Sequence, residues 1–355
     1  MRSDATRSRN GWAAIAWAPY SRRSEMFARE LGGTLHCIHY LRFRSPLDAP
    51  FKYVLQAIHT LSVLFAERPR AVHVQNPPFV CGLVVDLYCR LTASRFVIEH
   101  HSAAFARTWD WARPLQRYAV RRAATNIVTS EHWADIVGSW GGRALVMHDP
   151  FLGLPEGKPY PVGPGPTVAF LGTFAPDEPL EAVLDAARSL PDVRFYITGD
   201  TRKLGADVRA GAPANVTFTG FLDPAGEYLG LLRAVNLAMV LTTRDHTLQL
   251  AGCEAISVGT PLVTSDWPYL RELFGAGTVF VAPSGEAIAR GVTEALRRRA
   301  ELAGQIERFR AARRRDWDLR LAQLKAAVAG KAGARQRQRV GTSGAASGAD
   351  ATERA

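Results

Sequence analysis

The chain reads as an α/β protein of two doubly wound halves facing a cleft, and three observations predict it. Short apolar runs alternate with helix-length amphipathic stretches almost throughout, the rhythm of βαβ units and a parallel sheet with helices on both faces. One stretch, Asp149 to Pro166, is so rich in proline and glycine that no regular element passes through it, and the alternation restarts after it. The length, 355 residues, suits two domains better than one.

In the first domain, 1–150, strands are expected at Trp12–Trp17, Thr34–His39, Ala71–Gln75, Arg95–Glu99, Thr125–Thr129 and Ala144–Met147, with helices at Phe51–Glu67, Gly82–Leu91 and Leu115–Arg122. Residues 151–166 read as the linker. In the second domain, 167–305, strands are expected at Thr167–Leu171, Val193–Thr198, Asn215–Thr219, Asn236–Leu241, Pro261–Thr264 and Thr278–Val281. Helices fall near Glu178–Ser189, Glu227–Ala234, Leu248–Val258 and 285–299, and 302–327 reads as further helix. From 330 to 355 the chain is Gly, Ala, Ser, Arg and Gln with almost nothing to bury, and a disordered basic tail is expected.

Nearly half the residues, 47%, are hydrophobic, which supports substantial cores. Cys37, Cys81, Cys89 and Cys253 show neither CxxC pairing nor metal spacing and read as small core residues in a reducing compartment, so a cytoplasmic location is expected. Trp12 to Pro19 is a first strand rather than a signal segment, being short and followed by Arg22 and Arg23. The apolar run Phe79–Cys89 is broken by Asp86 and falls well short of the ~20 residues of a spanning helix.

The net charge of +11 is concentrated. Between Arg297 and Arg339 stand 14 Lys or Arg against 4 Asp or Glu. A solvated helical face followed by a basic tail accounts for this. Interleaved hydrophobic residues also fit attraction to an anionic membrane surface, which makes a peripheral membrane association a second reading. No recognised nucleic-acid module accompanies the charge, so nucleic acid is not an expected partner.

The stretch from Glu227 to Asp266 reads as helix, strand, loop, helix, tight Gly-Thr-Pro turn and strand. Its loop, Thr242 to Thr247, brings polar side chains (Arg244, His246, Thr247) and free backbone N–H groups to a helix start, a good place for a phosphate or diphosphate. Glu254 lies further along that helix and can accept hydroxyl hydrogen bonds if it faces the cleft; a solvent-facing carboxylate is the plainer reading. In the first domain, Gln75-Asn76-Pro77-Pro78 and Glu99-His100-His101 both follow strands, so their polar groups sit at strand carboxyl ends. His101 is suited to proton transfer near neutrality, with a structural histidine as the alternative. Trp109, Trp111 and Arg113 follow, for stacking on a ligand or for burial against the next helix.

Glu254 followed by Gly259-Thr260-Pro261-Leu262-Val263 resembles the motif of glycosyl transferases group 1, also called glycosyltransferase family 4. The resemblance implies the GT-B fold, two Rossmann-like domains with a C-terminal helix, here 306–329, crossing back to the first domain, where Trp317 packs. It also implies a nucleotide-sugar donor, with Glu254 on its ribose. That family carries another glutamate eight positions earlier, where this chain has His246. It also has an Arg after the glycine of Phe170-Leu171-Gly172 and a Lys-Gly soon after, where this chain has Thr173 and Glu178-Pro179. Positive charge opposite the leaving diphosphate must then come from elsewhere: Arg244, Lys203 or helix termini.

Thr173-Phe-Ala-Pro-Asp-Glu178, His73-Val-Gln-Asn-Pro-Pro78, Phe96-Val-Ile-Glu-His-His101 and Ser21-Arg-Arg-Ser-Glu-Met26 are similar, in the same order, to segments of the chitobiosyldiphosphodolichol β-mannosyltransferases. This resemblance implies a hexosyltransferase with mannose as the favoured sugar and GDP-mannose or a UDP-hexose as donor. The acceptor would be lipid-linked or a glycan, as in cell-surface polysaccharide assembly. Thr173, Arg244, His246, Thr247 and Glu254 would serve the donor, Arg22, Gln75 and Asn76 the acceptor side, and His101 or Glu99 the acceptor hydroxyl. Neither metal nor cofactor is expected. The alternatives are a catalytically inactive GT-B module that binds nucleotide or partners another transferase, and a sugar-nucleotide epimerase on the same fold. A dinucleotide-dependent dehydrogenase is disfavoured, because no Gly-x-Gly-x-x-Gly follows the first strand.

Overall fold

The computed structural model describes residues 11–41, 49–148, 151, 153–224 and 226–330. Its contacts divide the chain into two units, Met1–Met147 with Leu319–Ala355, and His148–Asp318. The expected tail from 331 onward lies outside the described residues.

The first unit runs β1 (Trp12–Ala16), α1 (Arg22–Leu31), β2 (Thr34–Cys37), α2 (Ala49–Glu67), β3 (Ala71–Asn76), α3 (Phe79–Thr92), β4 (Arg95–His100), α4 (Arg113–Arg122), β5 (Thr125–Val128), α5 (Glu131–Ser139) and β6 (Ala144–Val146). Its strands form one parallel sheet in the order β2-β1-β3-β4-β5-β6. Ala13, Ile15, Val72 and Val74 are buried on one face of the sheet and Ala14, Ala16, Ala71 and Val97 on the other, as strands covered on both faces must be. Short 3-10 turns over Ser102–Phe105 and Arg107–Ala112 lead into α4.

Ser21 sets the register of α1. Its hydroxyl accepts the Ser24 N–H at 3.3 Å, and Gly32, left-handed at φ 68°, closes the helix. That phase buries Arg23, Ser24 and Phe27 and leaves Arg22 half-exposed. The expected helices did not include α1, half of whose residues are charged, nor α5.

The second unit runs β7 (Thr167–Phe170), α6 (Leu180–Ser189), β8 (Arg194–Thr198), α7 (Ala206–Ala210), β9 (Val216–Gly220), α8 (Glu227–Ala234), β10 (Leu237–Val240), α9 (Leu250–Val258), β11 (Leu262–Ser265), α10 (Pro268–Leu273), β12 (Thr278–Val281) and α11 (Gly285–Arg297), then opens α12 (Arg299–Val328). Its parallel sheet has the order β12-β11-β10-β7-β8-β9. Residues 153–166 are irregular but not a free spacer. Arg233 of α8 donates to the carbonyls of Leu154, Pro155 and Glu156, and a Cβ on Gly230 would meet the Lys158 carbonyl oxygen at 1.7 Å.

The end of the chain is a single 30-residue helix, α12, rather than a shorter one starting at 302. The unit boundary falls within it, so the helix begins in the second unit and ends in the first, the expected crossing back. Leu302, Ile306, Trp317, Leu321 and Leu324 are its buried hydrophobic residues; Trp317 is a core residue as expected, but it belongs to the second unit rather than the first. No helix among the described residues is long and apolar enough to cross a membrane.

Candidate active site

In the second sheet the strand order reverses between the neighbours β7 and β10. The loops leaving those strands therefore part at the carboxyl edge, where open α/β sheets bind their ligands. Asp177 joins the two loops. Its Oδ2 accepts the Thr242 hydroxyl at 2.8 Å, and its carbonyl accepts the Thr243 N–H at 2.8 Å. Behind them, Thr242 N–H donates to Ser265 Oγ at 2.9 Å, and Trp267 Nε1 donates to the Thr242 carbonyl at 3.1 Å.

Glu178 fills the first loop. Its carboxylate accepts the N–H groups of Thr173 at 2.8 Å and Ala175 at 3.2 Å, and the Thr173 hydroxyl at 3.0 Å. These are backbone donors of the kind an anionic ligand uses, here satisfied from within. Lys203, in the turn after β8, donates to the Thr173 carbonyl at 2.8 Å and brings an ammonium to the same loop.

The second loop carries Arg244, exposed, whose N–H donates to Thr242 Oγ1 at 3.1 Å. His246 takes a left-handed backbone at φ 54°, with its N–H on Asp245 Oδ1 at 2.6 Å and its ring centroid 6.3 Å from that of Tyr269. Thr247 donates to the Asp245 carbonyl at 3.3 Å. Glu254 lies half-buried on α9, and its Oε2 accepts the Tyr228 hydroxyl at 2.7 Å. The carboxylate is thereby held in place rather than waving in solvent.

The first sheet reverses order between β1 and β3, and the polar residues at that edge form two networks, one on each face of the strands. On one face, buried Glu99 pairs with buried Arg23, whose Nη2 also donates to the Met147 carbonyl at 2.9 Å. His73 Nε2 lies 3.1 Å from Glu99 Oε2, and the His101 Nε2 lies 3.5 Å from Oε1. Burial would raise the Glu99 pKa, but Arg23, with His101 and His73, holds the carboxyl well below its ordinary range. His101 is 36% exposed against 1% for Glu99, so the histidine reaches solvent and the carboxylate stands behind it. Gln75 shares this face and accepts the Ser24 hydroxyl at 3.3 Å.

On the other face, Asn76 Nδ2 lies 3.0 Å from His100 Nδ1, and His100 Nε2 lies 3.0 Å from Asn126 Oδ1. An amide donor on one nitrogen and a carbonyl acceptor on the other fix a neutral ring protonated at Nε2. Burial pushes the His100 pKa down to about 4.

The structure thus gathers Thr173, Arg244, His246 and Thr247 around the Asp177 and Glu178 loops, and gathers Gln75, Glu99 and His101 around Arg23. Asn76 is buried on the opposite face of the strands, and Arg22 is half-exposed, one position before the Arg23 that pairs with Glu99. Sequence reasoning missed Arg23, His73, His100 and Asn126. The available signal was polar residues at alternate positions of otherwise apolar strands, His73 with Gln75 and Glu99 with His101.

Residues 165–298 match the family model of glycosyl transferases group 1. That match lies within the second unit, His148–Asp318. Over 89% of the chain, solved GT-B structures share the fold. HepE from Anabaena, solved in complex with UDP and glucose, is 14% identical with a TM-score of 0.63, over 89% of this chain and 99% of that one. Sucrose-phosphate synthase from Thermosynechococcus elongatus is 16% identical with a TM-score of 0.61, over 89% and 99%. A glycosyltransferase from Rickettsia africae is 11% identical with a TM-score of 0.61, over 89% and 97%. No curated protein sequence matches the chain.

Proposed function

We propose that the protein is a nucleotide-sugar-dependent hexosyltransferase, with the donor bound at the switch point of the group 1 domain. The observation that carries this reading is the pair of loops joined by Asp177, with a positioned carboxylate, Glu254, on the helix that follows. Glu254 would accept the ribose hydroxyls, and Arg244, His246 and Thr247 would line the diphosphate. HepE, a neighbour by fold, is solved with UDP-glucose, which supports a nucleoside diphosphate hexose as the donor class. The resemblance to β-mannosyltransferases favours mannose and a lipid-linked or glycan acceptor in surface polysaccharide assembly.

Lys203 takes the part of the missing family cations. It stands on the loop of Thr173, where Glu178 replaces the family lysine. In the first unit, His101 serves as the group that meets the acceptor hydroxyl. Glu99 is its positioning partner: an ionised carboxylate behind an imidazole fixes the orientation of the ring. Asn76 and Gln75 hold the strand ends in shape.

A second reading, a catalytically inactive nucleotide-binding module, rests on Glu178 occupying the loop donors. The test is thermal stabilisation by a panel of GDP-, UDP-, dTDP- and ADP-sugars, with Glu254→Ala in parallel. A selective shift, weakened roughly ten- to a hundredfold in donor affinity by Glu254→Ala, is expected for loss of a hydrogen bond to a charged group. Binding without turnover of any sugar would move the assignment to the inactive module. The anomeric configuration of the product, read by NMR, separates inversion, which the mannosyltransferase resemblance implies, from retention.

A further inference from the structure

At the opposite edge of the first unit's sheet lies a cavity of about 410 Å³ lined by four arginines, Arg95, Arg121, Arg122 and Arg143. They come from separate places. Arg95 opens β4, Arg121 and Arg122 end α4, and Arg143 directly precedes β6. The last turn of α12 contributes Ala327. Arg95 and His100 are the two ends of one strand, about 16 Å apart at ~3.3 Å per residue. The cavity is therefore separate from the site described above.

Its charge is largely uncompensated. Arg122 donates to Asp86, a carboxylate that also pairs with Arg90. Among the described residues, Arg95, Arg121 and Arg143 have no carboxylate within ion-pair distance. Arg121 is held by the Trp140 carbonyl at 2.7 Å, which fixes its direction without cancelling its charge. Gly330, at φ 79°, gives the Arg95 guanidinium room, since a Cβ there would meet its Nη1 at 3.0 Å. Like charges around one cavity repel, and an anion among them relieves that repulsion. Guanidinium forks match phosphate oxygens in both geometry and charge. Residues 331–349, which follow in sequence, contain neither Asp nor Glu, and Lys331, Arg335, Arg337 and Arg339 among them are basic.

We propose that this cavity binds a phosphate group, as a phosphomonoester or diphosphate, at a site distinct from the donor site. The phosphate is either that of a soluble compound or that of an anionic lipid headgroup, and the experiment separates the two. The full chain is titrated calorimetrically with inorganic pyrophosphate in the presence of UDP, alongside the double variant Arg95→Gln, Arg143→Gln. Both substituted residues are exposed, and a circular dichroism melt checks that the variant folds as the parent does. In parallel, both proteins are floated with vesicles of pure phosphatidylcholine and of equimolar phosphatidylcholine and phosphatidylglycerol. A pyrophosphate affinity at least roughly tenfold weaker in the variant, and weaker at high salt in the parent, supports a soluble phosphate ligand. Recovery with the anionic vesicles that the variant loses, without pyrophosphate binding, supports the headgroup. Equal behaviour of parent and variant in both assays overturns the proposal.

Discussion

The two switch points solve the same structural problem in opposite ways. In the first unit the strand ends are stitched by buried ionisable side chains, Arg23 with Glu99 and His73 on one face, Asn76 with His100 and Asn126 on the other. In the second, the loops are held by short bonds from threonines and backbone N–H groups to Asp177 and Glu178, and the long cations Arg244 and Lys203 are exposed. A buried charge network is costly to disturb but keeps one group, His101, in a fixed pose. An exposed loop tolerates change and leaves its charges available to a ligand. The first edge is therefore where stability and site geometry are coupled, and the second is where they separate.

The sharpest way to break this contrast is at Glu99. Replacing it with alanine strands Arg23 in the interior, and loss of about 3–5 kcal/mol is expected in denaturant unfolding. His101→Ala, two residues away but partly exposed, should leave stability within about 0.5 kcal/mol while lowering kcat by roughly 10²–10⁴. A His101 variant that unfolds as readily as the Glu99 variant would abolish the distinction between the reaching group and the one behind it.

Acid sharpens it next. His100 titrates near 4 in the folded chain and near ~6.5 unfolded, so the unfolded state binds the proton first. Stability contributed by the neutral ring is complete above pH ~6.5, falls by about 3 kcal/mol as pH drops towards 4, and then levels off. Glu99 continues the loss, because its stabilisation is present above the unfolded carboxyl value near ~4.3 and fades below it. Unfolding free energies measured across this range should show two stages, and His100→Gln should remove the first. A flat profile between pH 6.5 and 4 would contradict the buried neutral ring.

The smallest effect is expected at Lys203. Its replacement by alanine should leave the melting temperature nearly unchanged and weaken binding of UDP or GDP roughly tenfold, read by titration. Unchanged nucleotide affinity would leave the diphosphate to Arg244 and the loop backbone.

Strand positions were legible because both sheets are covered on both faces, so each strand stands out as an apolar run between turns. Glu254 was legible because its helix ends in the Gly259-Thr260-Pro261 turn, where Gly259 is left-handed at φ 87°. Which of Arg22 and Arg23 points inward was not, since that depends on the helix starting at Ser21, and α1 carries too few apolar residues to announce itself. The bonds of Asp177 with Thr242 and of Tyr228 with Glu254 join elements far apart in sequence. Only the strand order, with β10 returning beside β7, brings the first pair together.

The path of α12 bears on how the protein is made. Leu321 and Leu324 are buried and belong to the first unit, yet the whole second unit is translated before them. At ~5–20 residues per second, about 170 intervening residues take on the order of ten to thirty seconds to emerge. For that interval the nascent first unit lacks its last helical segment, and with it the two leucines that end up buried.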